Sequence, residues 1–202
     1  MKKLALLLAA VLVLSLTACG GSGLSRTEIR DTVQALVEQS YVLNDVYYGD
    51  GLPFEEDEEL VATMLGMTQD AEIKVYYMPV SPAAPFLSEE EIRKATAAVF
   101  SPEMCQLLYE IAFSGVATGD EEQVSFARYI QQEDVLTVRL DLAASALQVN
   151  RTYDFDNMTV LIDEGDRVRV EIPSIVEGEK SVNVRITVIK TADGWRLDSP
   201  TY

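Results

Sequence analysis

Histidine is missing altogether from the 202 residues. Its absence removes Ser-His-Asp and Cys-His nucleophilic catalysis, His-ligated zinc, and the side chain that most often acts as general base near neutral pH. No Walker motif, no Gly-x-Gly-x-x-Gly and no Cys-x-x-Cys pair occurs, so glycine-loop phosphate binding and dithiol redox chemistry go with it. Only carboxylate or lysine chemistry survives, and the chain offers no motif that asks for a cofactor or a metal. Positive charge is scarce as well: 16 Lys and Arg stand against 33 Asp and Glu, a net charge of −17. Such a surface repels phosphate backbones and anionic headgroups, which argues against nucleic-acid binding. Cysteine is limited to Cys19 and Cys105. There is also no apolar run of the ~20 residues that a membrane-spanning helix needs.

What the chain does have begins at its first residues. Met1-Lys2-Lys3 is a short cationic start, and Leu4 to Leu16 is a nearly unbroken apolar stretch of signal-peptide length. Leu16-Thr17-Ala18-Cys19 follows, and this tetrapeptide resembles the lipobox of bacterial lipoproteins. That resemblance implies that residues 1–18 are a signal peptide and that the Cys19 thiol receives a diacylglyceryl group, anchoring the protein outside the cytoplasm. Two acyl chains hold where one would be marginal, at ~0.8 kcal/mol per buried methylene. Residues 19–24, with Gly20-Gly21-Ser22-Gly23, read as a flexible tether that reaches only ~20 Å. Losing Lys2 and Lys3 with the signal leaves 14 cations against 33 acids, or −19 for the mature chain. With Cys19 acylated, Cys105 is the one remaining thiol, an internal disulfide is impossible, and packing must supply the stability.

Residues 25–202 are one domain's worth of chain. Ser25-Arg26-Thr27-Glu28 is a capping box, followed at helical spacing by Ile29, Val33, Leu36, Val37, Leu43 and Tyr47; the helix stops at Gly49-Asp50-Gly51. A short helix over Glu58 to Leu65 and a strand over Ile73 to Met78 are expected next. A second capping box at Ser88 to Glu91 opens a helix with Ile92, Ala95, Thr96 and Val99 on one side. Ser101-Pro102-Glu103 starts a third, with Met104, Leu107, Leu108, Ile111 and Ala112 as its apolar residues. From Val124 the period changes to two. Strands are expected through Tyr129-Ile130, over Val135 to Leu142, over Tyr153 to Ile162, over Arg167 to Val176, and over Val182 to Val188. Asp193-Gly194 marks a final hairpin before Trp195 and Leu197.

Helices first and an antiparallel meander afterwards specify an α+β fold, with N-terminal helices on a curved sheet. The order of elements resembles the NTF2-like, cystatin-like superfamily, most closely at the closing hairpin Lys190-Thr191-Ala192-Asp193-Gly194-Trp195-Arg196-Leu197. The Ser-Glu-Glu-Glu-Ile and Val-Phe-Ser-Pro-Glu helix starts look like lipoproteins of Gram-positive anaerobes, with a fainter likeness to secreted inhibitors of cell-wall DL-endopeptidases. These motifs are structural and carry over no catalytic residue. Trp195, just past the turn, is expected to pack against the first helix as a fully buried aromatic.

Several candidate sites reduce to structure. The acidic run Glu55 to Glu59 cannot converge its carboxylates on one calcium ion and reads as a solvated loop. Asp154-Phe155-Asp156-Asn157 opens like an EF-hand loop, but Thr159 stands where the glycine is needed and Gly165 where the bidentate Glu belongs; alternation in a half-buried strand accounts for it instead. Cys105 reads as a small buried hydrophobe. Tyr41, Tyr47, Tyr48 and Tyr109 fall where helices should meet the sheet, and are the candidate ligand-binding residues, with a core role as the plainer explanation. Two functions stay open. One is a non-catalytic binding lipoprotein of the envelope whose acidic face meets a basic partner such as a wall-remodelling enzyme. The other is a small-ligand receptor or His-independent enzyme working in the concave pocket of the cone.

Overall fold

A computed structural model describes residues 22–54, 65–67, 74–114, 126–142, 146, 151–178 and 180–201. Residues 1–18, Cys19, the Glu55 to Glu59 run and Val124 lie outside the described residues. Among the described residues three α-helices, α1 (Arg26–Tyr47), α2 (Glu89–Val99) and α3 (Pro102–Tyr109), accompany nine strands. These are β1 (Leu65–Met67), β2 (Lys74–Pro79), β3 (Tyr129–Gln132), β4 (Val135–Arg139), β5 (Arg151–Tyr153), β6 (Thr159–Asp163), β7 (Arg167–Val176), β8 (Lys180–Thr191) and β9 (Gly194–Leu197). The class is α+β, with a strongly curled antiparallel sheet. The strands form two hydrogen-bonded groups, β1-β2-β4-β3 and β5-β7-β8-β9, with β6 beside β5 along the same edge of β7. The short helix expected over Glu58 to Leu65 falls outside the described residues, save that Leu65 opens β1.

The first helix forms where its local chemistry asks for it. Ser25 Oγ accepts from the Glu28 N–H at 3.3 Å, and the Glu28 carboxylate accepts from the Ser25 N–H at 2.8 Å. These bonds to its ionised form hold Glu28 below the usual carboxylate range. Ile29, Val33, Leu36, Val37, Leu43, Val46 and Tyr47 make one buried stripe. It shares one core with the inner rows of β7 and β8, where Val168 pairs with Val188, Val170 with Ile186 and Ile172 with Val184. Burying each such side chain contributes about 1.5–3 kcal/mol. The helix ends at Gly49 to Gly51. Gly51 has φ +86°, and a Cβ there would lie 2.7 Å from Leu142 Cδ1, so glycine is required both by conformation and by space.

That helix end is held from a distance. Arg128 is 8% exposed; its Nε donates to the Val46 carbonyl at 2.8 Å and its Nη2 to the Gly49 carbonyl at 2.5 Å. Tyr129 OH donates to the same Val46 carbonyl at 3.1 Å and accepts from the Leu52 N–H at 3.0 Å. α1 has no basic residue in its own last turn. A guanidinium from the segment leading into β3 thus satisfies its orphan carbonyls and sits at the negative end of the helix dipole. Burial lowers the pKa of Arg128 and pushes the Tyr129 phenol up to about 12. The chain's last segment is fastened similarly. Thr201 Oγ1 accepts from Asn44 Nδ2 at 3.0 Å, and its carbonyl accepts from Tyr153 OH at 2.8 Å.

Elsewhere the structure departs from the sequence expectations for identifiable reasons. The single strand expected over Tyr153 to Ile162 is broken into β5, a 3₁₀ turn at Phe155–Asn157, and β6. Tyr153 pairs with Ser174, so the next position, Asp154, faces Pro173. Asp154 N–H reaches the Pro173 carbonyl at 2.8 Å, but proline has no N–H to return, and the ladder stops. Asp154 then caps the turn, its carboxylate accepting from the Asn157 N–H at 3.2 Å. Asp154 and Asp156 therefore do not alternate in a strand.

The third helix passes from α into a π-helical turn at Glu110–Ser114, and Leu107 is 52% exposed; Cys105, Leu108 and Ala112 are buried instead. At α2 the box is not reciprocal: Ser88 Oγ accepts from the Glu91 N–H, while the Glu91 carboxylate accepts from Leu87. Trp195 is half-buried at the core's edge, opposite exposed Lys190, while Leu197 on the same face is fully buried. The ring contributes less than a fully buried aromatic would. Ser22 and Leu24, expected in a free tether, are seated on the domain: Ser22 N–H donates to the Asp163 carboxylate, and Leu24 packs against the core.

Candidate binding groove

The four candidate tyrosines do not converge. Tyr47 is 1% exposed, and its hydroxyl meets Thr96 Oγ1 at 2.7 Å. Thr96 in turn donates to the Ile92 carbonyl, so Tyr47 is the donor of the pair. Its pKa is pushed far up by burial. Tyr109 OH donates to the Arg93 carbonyl at 2.9 Å, and its pKa is raised to about 12, chiefly by burial. These two share one neighbourhood behind α2, together with Cys105. The Cys105 thiol is 6% exposed, bonded at 3.5 Å to the Phe100 carbonyl, and held up in pKa by burial. Tyr48 is half-buried past the end of α1, and Tyr41 is 41% exposed on that helix. Tyr47 and Tyr109 join α1, α2 and α3, and the four tyrosines are spread between the buried core and the surface.

An opening does exist on the other side of α2. Ser88, Glu89, Glu90 and Arg93 at the start of that helix face Gln131, Glu133 and Asp134 of the β3–β4 hairpin across a groove of about 520 Å³. The sequence builds each wall locally. Ser88 starts the helix and places its acids in the first turn, where the dipole favours negative charge. Glu133 takes φ +51° in the two-residue turn between Gln132 and Val135, holding the hairpin tip in place. The walls are then tied together: Gln131 Oε1 accepts from the Glu89 N–H at 3.1 Å, and Gln131 Nε2 donates to the Glu133 carbonyl at 2.9 Å.

The electrostatics of the groove are one-sided. Glu89 pairs with Arg93 at 2.6 Å, and the Arg93 guanidinium lies 4.2 Å from the Tyr109 ring centre and 4.7 Å from that of Phe113. Glu90, Glu133 and Asp134 add three further negative charges to that ion pair. Tyr109 thus serves the groove indirectly, because it holds both the backbone and the side chain of Arg93. None of the four tyrosines lines it. In the sequence alone Ser88 to Glu91 reads as a helix cap, and Glu133-Asp134 only as the gap between two strands. The available signal was an acidic turn directly beside an acidic helix start.

Among the described residues no group of three or more Asp, Glu, Cys or His is placed to hold a metal, and no Asp or Glu is buried. No described helix is long and apolar enough to cross a membrane. No protein-family model and no curated protein sequence matches this chain.

Proposed function

We propose that this chain is a lipid-anchored, NTF2-like binding protein of the bacterial envelope, which recognises a cationic segment of another envelope protein and performs no catalysis. The groove at the start of α2 is the observation that carries this reading. It is open, tied by a hydrogen bond between its two walls, and lined by four carboxylates with a single arginine. Lysine and arginine side chains of an extended segment suit such a surface, with long-range attraction speeding encounter. A basic wall-remodelling enzyme is a partner of that chemistry. The concave face of the sheet favours the same reading over a ligand-filled cone. Val168, Val170, Ile172, Ile186, Val188 and Leu197 are buried there at 2% exposure or less, and the carboxylate that acid–base chemistry would need is not among the buried residues described.

Capture from envelope extracts tests it. The wild-type domain is expected to retain basic proteins at low ionic strength and to release them near 1 M salt, where the Debye length falls to ~3 Å. Replacing Glu90, Glu133 and Asp134 by Gln, Gln and Asn should weaken capture at least as much as salt does. Capture unaffected by these three substitutions would move the partner site elsewhere. Steady turnover of a wall-derived substrate by the purified domain would replace binding with catalysis.

A further inference from the structure

The tether is shorter than its composition suggests. Ser22 is only 9% exposed; besides its bond to Asp163 in β6, its hydroxyl accepts from the Leu24 N–H at 3.3 Å. Only Gly20 and Gly21 separate this seat from Cys19. Three Cα–Cα steps of 3.8 Å span at most about 11 Å. Once Cys19 is acylated, the end of the domain that carries Ser22 has no freedom to leave the membrane surface.

We propose that this end, comprising Ser22, the start of α1 and the β6–β7 turn, is apposed to the headgroup layer of the protein's own bilayer, and that the acidic groove is thereby held at the opposite end. The proposal rests on acylation of Cys19. The apposed end has the surface for it. A cleft of about 180 Å³ between the first turns of α1 and the Phe155–Asn157 turn is lined by Arg26, Thr27, Arg30, Phe155, Met158 and Val160, with the Asp156 carboxylate among them. Guanidinium groups above partly buried apolar side chains match an interface that is charged outside and apolar beneath. Leu161, 44% exposed at the irregularity in β6, adds apolar surface nearby. Arg30 is paired with Asp31 at 3.0 Å and Asp156 at 3.6 Å, Glu28 stands close, and Glu164 and Asp166 of the β6–β7 turn are exposed acids, so charge does not draw this end to the bilayer. The leash, and not charge, sets the approach.

The far end follows from α1 itself. Its 22 residues run about 33 Å away from the tether at 1.5 Å each. Tyr129 bonds to Val46 at its last turn, and Gln131, two residues on, borders the groove. The groove therefore stands about one helix length from the anchor, turned toward the wall side.

The test uses the full-length acylated protein in phosphatidylcholine vesicles containing a headgroup spin-labelled lipid. A fluorophore is placed on Glu164→Cys, in the β6–β7 turn, or on Asp50→Cys, just past α1; both positions are exposed. Quenching at 164 is expected to exceed that at 50 severalfold, and to persist in 1 M salt, where charge-driven contacts are screened. Equal quenching at the two positions, or stronger quenching at 50, overturns the orientation. Intact mass separates the two layers of the reading. A protein without the diacylglyceryl mass on Cys19 defeats the anchor and the orientation together, whereas an acylated protein with equal quenching defeats the orientation alone.

Discussion

Replacing Arg128 by Met is expected to cost about 3–5 kcal/mol of folding stability, because it removes two hydrogen bonds from a charged donor worth about 1.5–3 kcal/mol each. Methionine keeps the apolar stem and removes both guanidinium donors. The Gly49 carbonyl loses its bond to Nη2, and the Val46 carbonyl is left with Tyr129 alone. A chain of this size shifts its melting temperature by about 2–4 °C per kcal/mol, so a drop of roughly 6–20 °C should appear in a thermal scan. Arg128→Lys is expected to recover only part of this. One ammonium cannot reproduce the fork that reaches one carbonyl in the last turn of α1 and another just past it. A loss below about 1 kcal/mol in the Met variant would show that the end of α1 does not depend on this cation.

The second large effect is with pH. Burial raises the phenols of Tyr129 and Tyr153 to about 12, and that of Tyr47 higher still. In the unfolded chain all three titrate near pH ~10. Between that value and the folded one, the folded protein still binds protons that the unfolded chain has released. Stability from this source is therefore complete below pH ~10 and falls as pH rises toward 12. Each phenol contributes about 1.4 kcal/mol per pH unit, so the three together give a slope near 4 kcal/mol per unit. That is enough to unfold an ordinary domain of 5–15 kcal/mol within a few units. Urea titrations at pH 9, 10 and 11 should show a plateau followed by this fall. Tyr109, raised to about 12 but less buried, adds to this slope, so Tyr129→Phe should reduce it by between a quarter and a third, even though it lowers stability at pH 9. A flat profile through pH 11 would mean that these hydroxyls are open to water.

Arg128 and Tyr129 act through contacts distant in the chain, which the sequence alone does not make legible. The start of α1 was legible because its cap is local: Ser25 and Glu28 are three apart, and the buried stripe repeats at the helical period. The β7–β8 and β8–β9 hairpins were legible for the same reason, with turn residues set between alternating strands. Arg128 gave no such sign, because its function depends on a helix end far away in the chain. The break in the expected Tyr153 to Ile162 strand was written in Pro173, but only the register of β5 on β7 brings that proline opposite Asp154. The groove was invisible in the same way. Ser88 to Arg93 and Gln131 to Asp134 are unremarkable as separate stretches, and their charge becomes a site only when Gln131 binds the first turn of α2. Tyrosine drew notice as a residue type, yet its placement went to joining helices.

The envelope location and the orientation at the membrane both depend on the anchor, so the most direct measurement is on Cys19. Intact-mass analysis of the protein recovered from membranes should show loss of residues 1–18 and a diacylglyceryl addition on Cys19. Cys19→Ser should either accumulate unprocessed or leave the membrane fraction. Retention of the Met1 end, or a Cys19→Ser protein cleaved and membrane-bound like the wild type, would contradict the account.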